Sequence, residues 1–472
     1  MIPSSPSWSS FEFAAAWVVA LFVVQPPPAS ADAIDRYLAR QQAIFEIPAL
    51  VVGVVRDGRL VDQRARGLVN IELGVKATPA HVFEIGSISK QFTAYAVLIL
   101  TEEGRLSLDA PIGTYLADLP ERWKRPTLHQ LLTHTAGIPD LEAAFGYGIY
   151  RETPSDADFT ARLATLPIDF EPGSKWRYSN TNYWLLARAI EQVSGVSYSE
   201  FMRSRIFKPL GMKSTRTAEP RQILAGRAAG YERAADRLEN RDPMQPNTGR
   251  GLGDIASTLL DLALWEREQL SPRLIAQATA DLARIPVKLN DGTQSPYGYG
   301  WSTEPILPKA ALHHDGQTAG FTAAYVRVPE RRLAIVVLTN LYGAPTSSIA
   351  RYLARQSDKV LRSPPLRAIP DDDLALTKRV GEIYINAANA PAAWRREWFA
   401  PDFWKEMEPW LSDAANLNRR RGVVRGVTLV ERALDGSGRS LKYRVAYRDA
   451  TRIVTVRVDS EGRVTGFSGE DE

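Results

Sequence analysis

The sequence predicts an α+β fold. An antiparallel sheet is flanked by helices with a helical subdomain inserted in the middle, and a small C-terminal α+β domain built on an antiparallel meander follows. Two hairpin signals stand near the two ends of residues 32–362, and the stretch between them reads as helix and loop. Beyond a proline- and aspartate-rich linker at 363–373, the pattern changes to helix and then to four alternating segments.

In chain order, residues 14–24 (AAAWVVALFVV) form an unbroken apolar run. It is too short to cross a bilayer and has the length of a signal-peptide core. No Lys or Arg precedes it, and Glu12 stands just before it, but Ala29-Ser30-Ala31 suits cleavage. Residues 1–31 are therefore expected to be a signal peptide, and the protein to be exported, periplasmic or extracellular, with no other membrane segment. Residues 33–45 read as an amphipathic helix. Residues 50–56 are β-branched, Asp57-Gly58 marks a tight turn, and 60–67 return as the second strand of a hairpin. An apolar helix runs from about 88 to 103 and stops at Gly104. Thr127 caps a short helix. Residues 182–194 form another, ended by Gly195. The second hairpin comprises 321–328, a Pro329-Glu330-Arg331-Arg332 turn and 333–339, and a helix at 347–361 closes the unit. The simplest assembly joins the two hairpins in one sheet.

In the last domain, 374–472, the stretch 374–411 is helical and carries Trp394, Trp398, Trp404 and Trp410. These read as a helix face packing on a sheet. Strands are expected at 423–433, 440–448, 451–459 and 463–469. The expected role of this domain is to cover the catalytic cleft or to mediate oligomerisation.

Composition narrows the chemistry. The net charge is only +4, and no long basic run suggests a nucleic-acid partner. The chain has no cysteine, which excludes a thiol nucleophile and disulfides. Its five histidines, His81, His129, His134, His313 and His314, lack zinc-type spacing. Neither a metal nor a cofactor is expected.

Ser87-Ile88-Ser89-Lys90 is the one Ser-x-x-Lys in the chain, placed where a turn becomes an apolar helix. Lys90 lies nearly one turn beyond Ser87, so its amine reaches the hydroxyl. A serine hydroxyl needs such a base, and a buried lysine with a depressed pKa is one. Acyl transfer also needs a proton shuttle and oxyanion donors. Tyr178-Ser179-Asn180 offers a phenol, expected to be lowered in pKa beside an ammonium, and an amide to bond Lys90. His314-Asp315-Gly316 leads into the second hairpin, where glycine permits close approach of a substrate. There the Gln317 N–H would pair with that of Ser87. A second such triplet, Tyr384-Ile385-Asn386, lies past the linker without partner motifs and is set aside.

In this order the motifs resemble those of the serine β-lactamase and DD-peptidase superfamily. Within it, the chain looks like the class C β-lactamase-related branch, which also holds D-aminopeptidases and carboxylesterases. Phe83-Glu84-Ile85-Gly86 before Ser87, Leu131-Leu132-Thr133-His134-Thr135-Ala136-Gly137, Glu171-Pro172-Gly173 and Pro209-Leu210-Gly211-Met212 extend the resemblance over about 33–361. It implies a β-lactamase/transpeptidase-like fold. Ser87 is then the acylated nucleophile and Lys90 its base, coupled to Tyr178, while Asn180, His314, Gly316 and Gln317 bind substrate. His134 is expected to support the site structurally. The third motif departs from the β-lactamase pattern, having His314 where a lysine would meet a substrate carboxylate. Histidine is mostly neutral at pH 7. The expected function is therefore a serine hydrolase cleaving a small ester, amide or D-amino-acid peptide. The alternatives are a β-lactamase or penicillin-binding D-Ala-D-Ala carboxypeptidase and, in another class, a non-catalytic cell-wall peptide-binding or scaffold protein. Loops at 141–169 and 217–251 are expected to decide specificity.

Overall fold

The computed structural model describes residues 32–217, 219–234, 237–389, 393–436 and 438–472. The expected signal peptide at 1–31 lies outside the described residues. The described chain starts with α1 (Ala33–Phe45), N-capped by the Asp32 side chain. β1 (Ala49–Arg56) and β2 (Arg59–Asn70) form the first hairpin. Asp57 and Gly58 have φ of 52° and 71°, the left-handed pair that a type I′ turn requires. A short β3 (Val75–Lys76) extends its outer edge. The helical middle contains α2 (Ser89–Glu102), α3 (Leu128–Leu132), α4 (Asn180–Ser194) and α5 (Leu259–Leu270). Thr127 makes a capping box at the start of α3, and Gly195 ends α4 in the left-handed conformation. β4 (Leu312–Thr318), β5 (Phe321–Val328) and β6 (Leu333–Thr339) complete the sheet, and α6 (Thr346–Ser357) packs back on it.

The sheet order is β3-β2-β1-β6-β5-β4. β1 pairs antiparallel with β6, setting Val52 opposite Val337, so the two hairpins join as expected. Alternate side chains of the same strands feed two cores. Val51, Tyr325 and Val336 pack with Phe92, Trp184 and Trp265 of the helical middle. Val52, Val326 and Val337 pack with Leu38 of α1 and with Ile349 and Leu353 of α6. Both faces being covered explains why these strands read as continuous apolar runs. α2 is buried at every position from Ser89 to Leu100 and forms the centre of the first core.

The sequence reading treated 314–316 as a lead-in to the second hairpin, whereas these residues lie within the edge strand β4. Leu312, His314, Gly316 and Thr318 are buried in strict alternation. The strand has no apolar alternation to announce it, because three of its four inward positions hold polar residues or glycine.

After the linker come α7 (Leu374–Ile385), α8 (Pro401–Met407) and α9 (Leu411–Arg421). They pack on a meander of β7 (Val424–Asp435), β8 (Gly438–Tyr447), β9 (Thr451–Val458) and β10 (Val464–Asp471). This region has its own core, in which Val380, Trp394 and Trp404 meet Tyr443, Val445 and Val456. Trp410 departs from the expected packing and is 66% exposed. The meander and α9 dock on α1 and α6. Asp471 accepts from Arg40 at 2.8 Å, Glu470 from Arg355 at 3.1 Å, and Glu46 pairs with Arg420 at 2.5 Å. α1 and α6 lie on the sheet face opposite α2.

Candidate active site

Ser87 sits in a single 3-10 turn, Gly86–Ile88, that leads into α2. Gly86 has φ 53°, and a Cβ on it would collide with the Gln317 amide of β4. A Cβ on Gly316 would collide with the Ile85 carbonyl and come within 3.2 Å of Ser87 N. The paired absences let an edge strand lie directly against the nucleophile turn. The amides of Ser87 and Gln317 flank this contact.

Lys90 follows one turn later, fully buried. Its Nζ lies 3.2 Å from Ser87 Oγ and donates to Asn180 Oδ1 at 2.8 Å and to the Leu252 carbonyl at 2.7 Å. No carboxylate touches it. Burial lowers its pKa to about 7, against the opposing pull of Asp140, Glu142 and Asp254 at longer range. Asn180 is fixed in turn by its own N–H, which donates to Asp140 Oδ1 at 2.6 Å.

Tyr178 places its ring 4.8 Å from Lys90 Nζ. Its hydroxyl is buried without a hydrogen-bond partner. The nearby Ser87 hydroxyl favours ionisation, but burial dominates and pushes the phenol pKa well above its ordinary value. This corrects the expectation of a lowered phenol. A lysine with a pKa of about 7 is only partly charged at neutral pH and gives limited help to a phenolate, which burial disfavours. His134 packs against the Tyr178 ring at 4.3 Å, and its Nδ1 accepts from Ser179 N at 3.2 Å. It therefore supports the site, as expected.

His314 points inward from β4. Its Nδ1 lies 2.7 Å from the Asp315 carbonyl and its Nε2 2.7 Å from Tyr297 Oη. The carbonyl assigns the proton to Nδ1, leaving Nε2 to accept from the tyrosine. Burial, then the charge of Lys90, lowers the imidazole pKa to about 3. The histidine is neutral at any ordinary pH. Tyr297 and the Leu252 carbonyl were not among the residues expected from sequence. Tyr297 lies in a loop without periodicity, and a backbone carbonyl has no sequence signature.

A cavity of about 720 Å³ opens beside Ser87. Tyr178, His314, Gly316 and Gln317 line it, while Lys90 and Asn180 stand behind Ser87. Trp176 and Tyr297 supply aromatic wall, and Glu304 and Asp315 supply carboxylates. No Lys or Arg lines it. Among the described residues, none from 141–169 or 217–251 lines this cavity, correcting their expected role, and none beyond 362 does. The loops at 296–304 and 343–348 take that place. Among the described residues, no group of three His, Asp or Glu side chains could hold a metal. No described helix is long and apolar enough to cross a membrane.

A family model described as Beta-lactamase matches residues 34–358. A penicillin-binding protein of Bacillus subtilis (strain 168) is 30% identical over 275 residues, which are 55% of this chain and 60% of that protein. A D-aminopeptidase of Gluconobacter oxydans (strain 621H) is 27% identical over 333 residues, 68% of this chain and 62% of that protein. The chain thus spans about three fifths of the length of these curated relatives. The octameric penicillin-binding protein homologue from Pyrococcus abyssi superposes with a TM-score of 0.62 at 24% identity, covering 92% of this chain and 95% of that one. A D-amino acid amidase from Ochrobactrum anthropi SV3 superposes with a TM-score of 0.57 at 24% identity, over 68% of this chain and 97% of that one. These likenesses are of fold.

Proposed function

The chain belongs to the beta-lactamase family, and from that premise we propose that it is a serine hydrolase working through an acyl-enzyme on Ser87. The carrying observation is Lys90 Nζ, 3.2 Å from Ser87 Oγ, in surroundings that lower its pKa to about 7. Neutral Lys90 takes the Ser87 proton as Oγ attacks the substrate carbonyl. The Ser87 and Gln317 amides receive the developing oxyanion. Tyr178, a neutral phenol, passes a proton from Lys90 to the leaving alkoxide or amine. Water then attacks the acyl-enzyme by the reverse relay, releasing the acid and restoring Ser87.

The cleft favours esters, amides and D-amino-acid peptides whose carbonyl flank carries no carboxylate. A neutral His314 offers no fixed cation, and Asp315 and Glu304 repel anions. The D-aminopeptidase relative supports this choice. The same features disfavour β-lactam and D-Ala-D-Ala carboxylate substrates. Mass spectrometry after fluorophosphonate labelling tests the reading. The wild type gains one adduct and Ser87→Ala none. An unlabelled wild type would leave only a binding role, and a labelled Ser87→Ala would move the nucleophile elsewhere. Among four substrates, a short acyl ester and a D-amino-acid amide turn over faster than a D-Ala-D-Ala peptide and a cephalosporin. We also propose export with removal of residues 1–31, which N-terminal sequencing of the secreted protein checks.

A further inference from the structure

The C-terminal region forms a partly open cavity of about 230 Å³ between its helices and the meander. Its walls are apolar at Ile383, Trp394, Leu417, Val454 and Phe467. Its polar lining is Tyr384, Asn418, Arg421, Arg452 and Ser468, with two guanidinium groups and no carboxylate among the described residues. Arg452 is paired, with Nη1 2.7 Å from Asp471 and Nη2 donating to the Gly469 carbonyl at 2.7 Å. Asp471 also accepts from Arg40 and Gln41, so its oxygens are already engaged.

Arg421, the last residue of α9, forms no ion pair with a carboxylate among the described residues, although Asp471 acts on it at longer range. Its Nη1 donates to Asn418 Oδ1 at 3.2 Å, its guanidinium carbon lies 5.7 Å from the Phe45 ring centre, and its buried Nε has no partner. Tyr384 lines the same space, and burial raises its phenol pKa, so it stays protonated as a donor. Burial, and then repulsion from Arg452, lowers the Arg421 pKa to about 10. The partnerless Arg421 Nε and the paired Arg452 thus place donors and positive charge beside a largely apolar space. A buried donor without a partner is costly, and an anion beside it removes that cost.

We propose that this cavity binds a small organic carboxylate, its anionic head on Arg421 and Tyr384 and its apolar body against Trp394, Leu417 and Phe467. The volume corresponds to roughly seven or eight water-sized units, which suits a benzoate-sized acid. The site is separate from Ser87, because none of its residues lines the catalytic cavity.

Thermal unfolding of the full chain, titrated with benzoate, benzamide and inorganic phosphate, tests this. Benzoate is expected to raise the melting temperature saturably at millimolar concentration. Benzamide, of like shape but neutral, has no effect, and phosphate has a weaker one. Arg421→Gln weakens the benzoate response at least tenfold while still hydrolysing a p-nitrophenyl ester at the wild-type rate. Ala414→Leu, which narrows the cavity beside Trp394 and Leu417, abolishes the response and serves if Arg421→Gln does not fold. Ser87→Ala keeps it. The proposal is overturned by any of three outcomes: no benzoate response in the wild type, an equal response to benzamide or phosphate, or a wild-type response in Ala414→Leu.

Discussion

Lys90 and Arg327 are both cations buried in the first core, and they differ in one contact. Arg327 on β5 meets Glu266 of α5 through two hydrogen bonds, at 2.6 Å and 3.1 Å, and lies under the Trp301 ring. Burial pulls the Arg327 pKa down, but Glu266 outweighs it and the guanidinium ends higher than usual. Lys90 has a hydroxyl, an amide oxygen and a backbone carbonyl around it, and no carboxylate within reach. One cation is neutralised by a partner and serves as a structural tie between the sheet and α5. The other loses its proton readily and becomes available for chemistry. Within a single core, the presence or absence of one touching carboxylate separates framework from reactivity.

That contrast breaks most visibly at the ion pair. Glu266→Gln leaves Arg327 charged and unpaired, at 1% exposure. It is expected to cost about 3–5 kcal/mol in urea unfolding, with turnover per folded molecule unchanged. Lys90→Ala is next: hydrolysis of a p-nitrophenyl ester falls by on the order of 10² or more, with the circular dichroism spectrum retained. Tyr178→Phe has a similar effect on rate if the phenol relays the proton, and near wild-type turnover would remove that role. Asn180→Asp sharpens the comparison, because it gives Lys90 the contact that Arg327 already has. Only neutral Lys90 accepts a proton, so wild-type kcat/KM rises with pH through the lysine pKa of about 7 and is lost below it. A carboxylate 2.8 Å away stabilises the ammonium, and the acid limb is expected to move up by about 1–3 pH units, slowing the enzyme at neutral pH. A pH–rate profile of the two proteins measures the displacement.

Ser87, Lys90, Tyr178, Asn180 and His314 were legible because each belongs to a short local motif whose spacing survives in one dimension. The paired hairpins and the C-terminal meander were legible from alternation and from turns such as Asp57-Gly58. What escaped depends on distance through space. Tyr297 reaches His314 from an irregular loop, and the Leu252 carbonyl reaches Lys90 with no side chain to mark it. The Arg327–Glu266 tie joins residues far apart in the chain. The phenol of Tyr178 was expected to ionise more easily because sequence shows its charged neighbour but not its burial. β4 was missed because an edge strand that lines a cleft spends its inward positions on polar residues.

The interlocked glycines set how this site can change. A side chain at Gly86 would meet the Gly316–Gln317 backbone, and one at Gly316 the Ile85 carbonyl and Ser87 N, so neither position can be altered without pushing β4 off the nucleophile turn. The geometry around Ser87 is in this sense frozen, whereas the rim is not. Asp315, Glu304 and Trp176 meet the cavity without supporting that contact, and a designer seeking a new substrate would randomise these three and leave both glycines untouched.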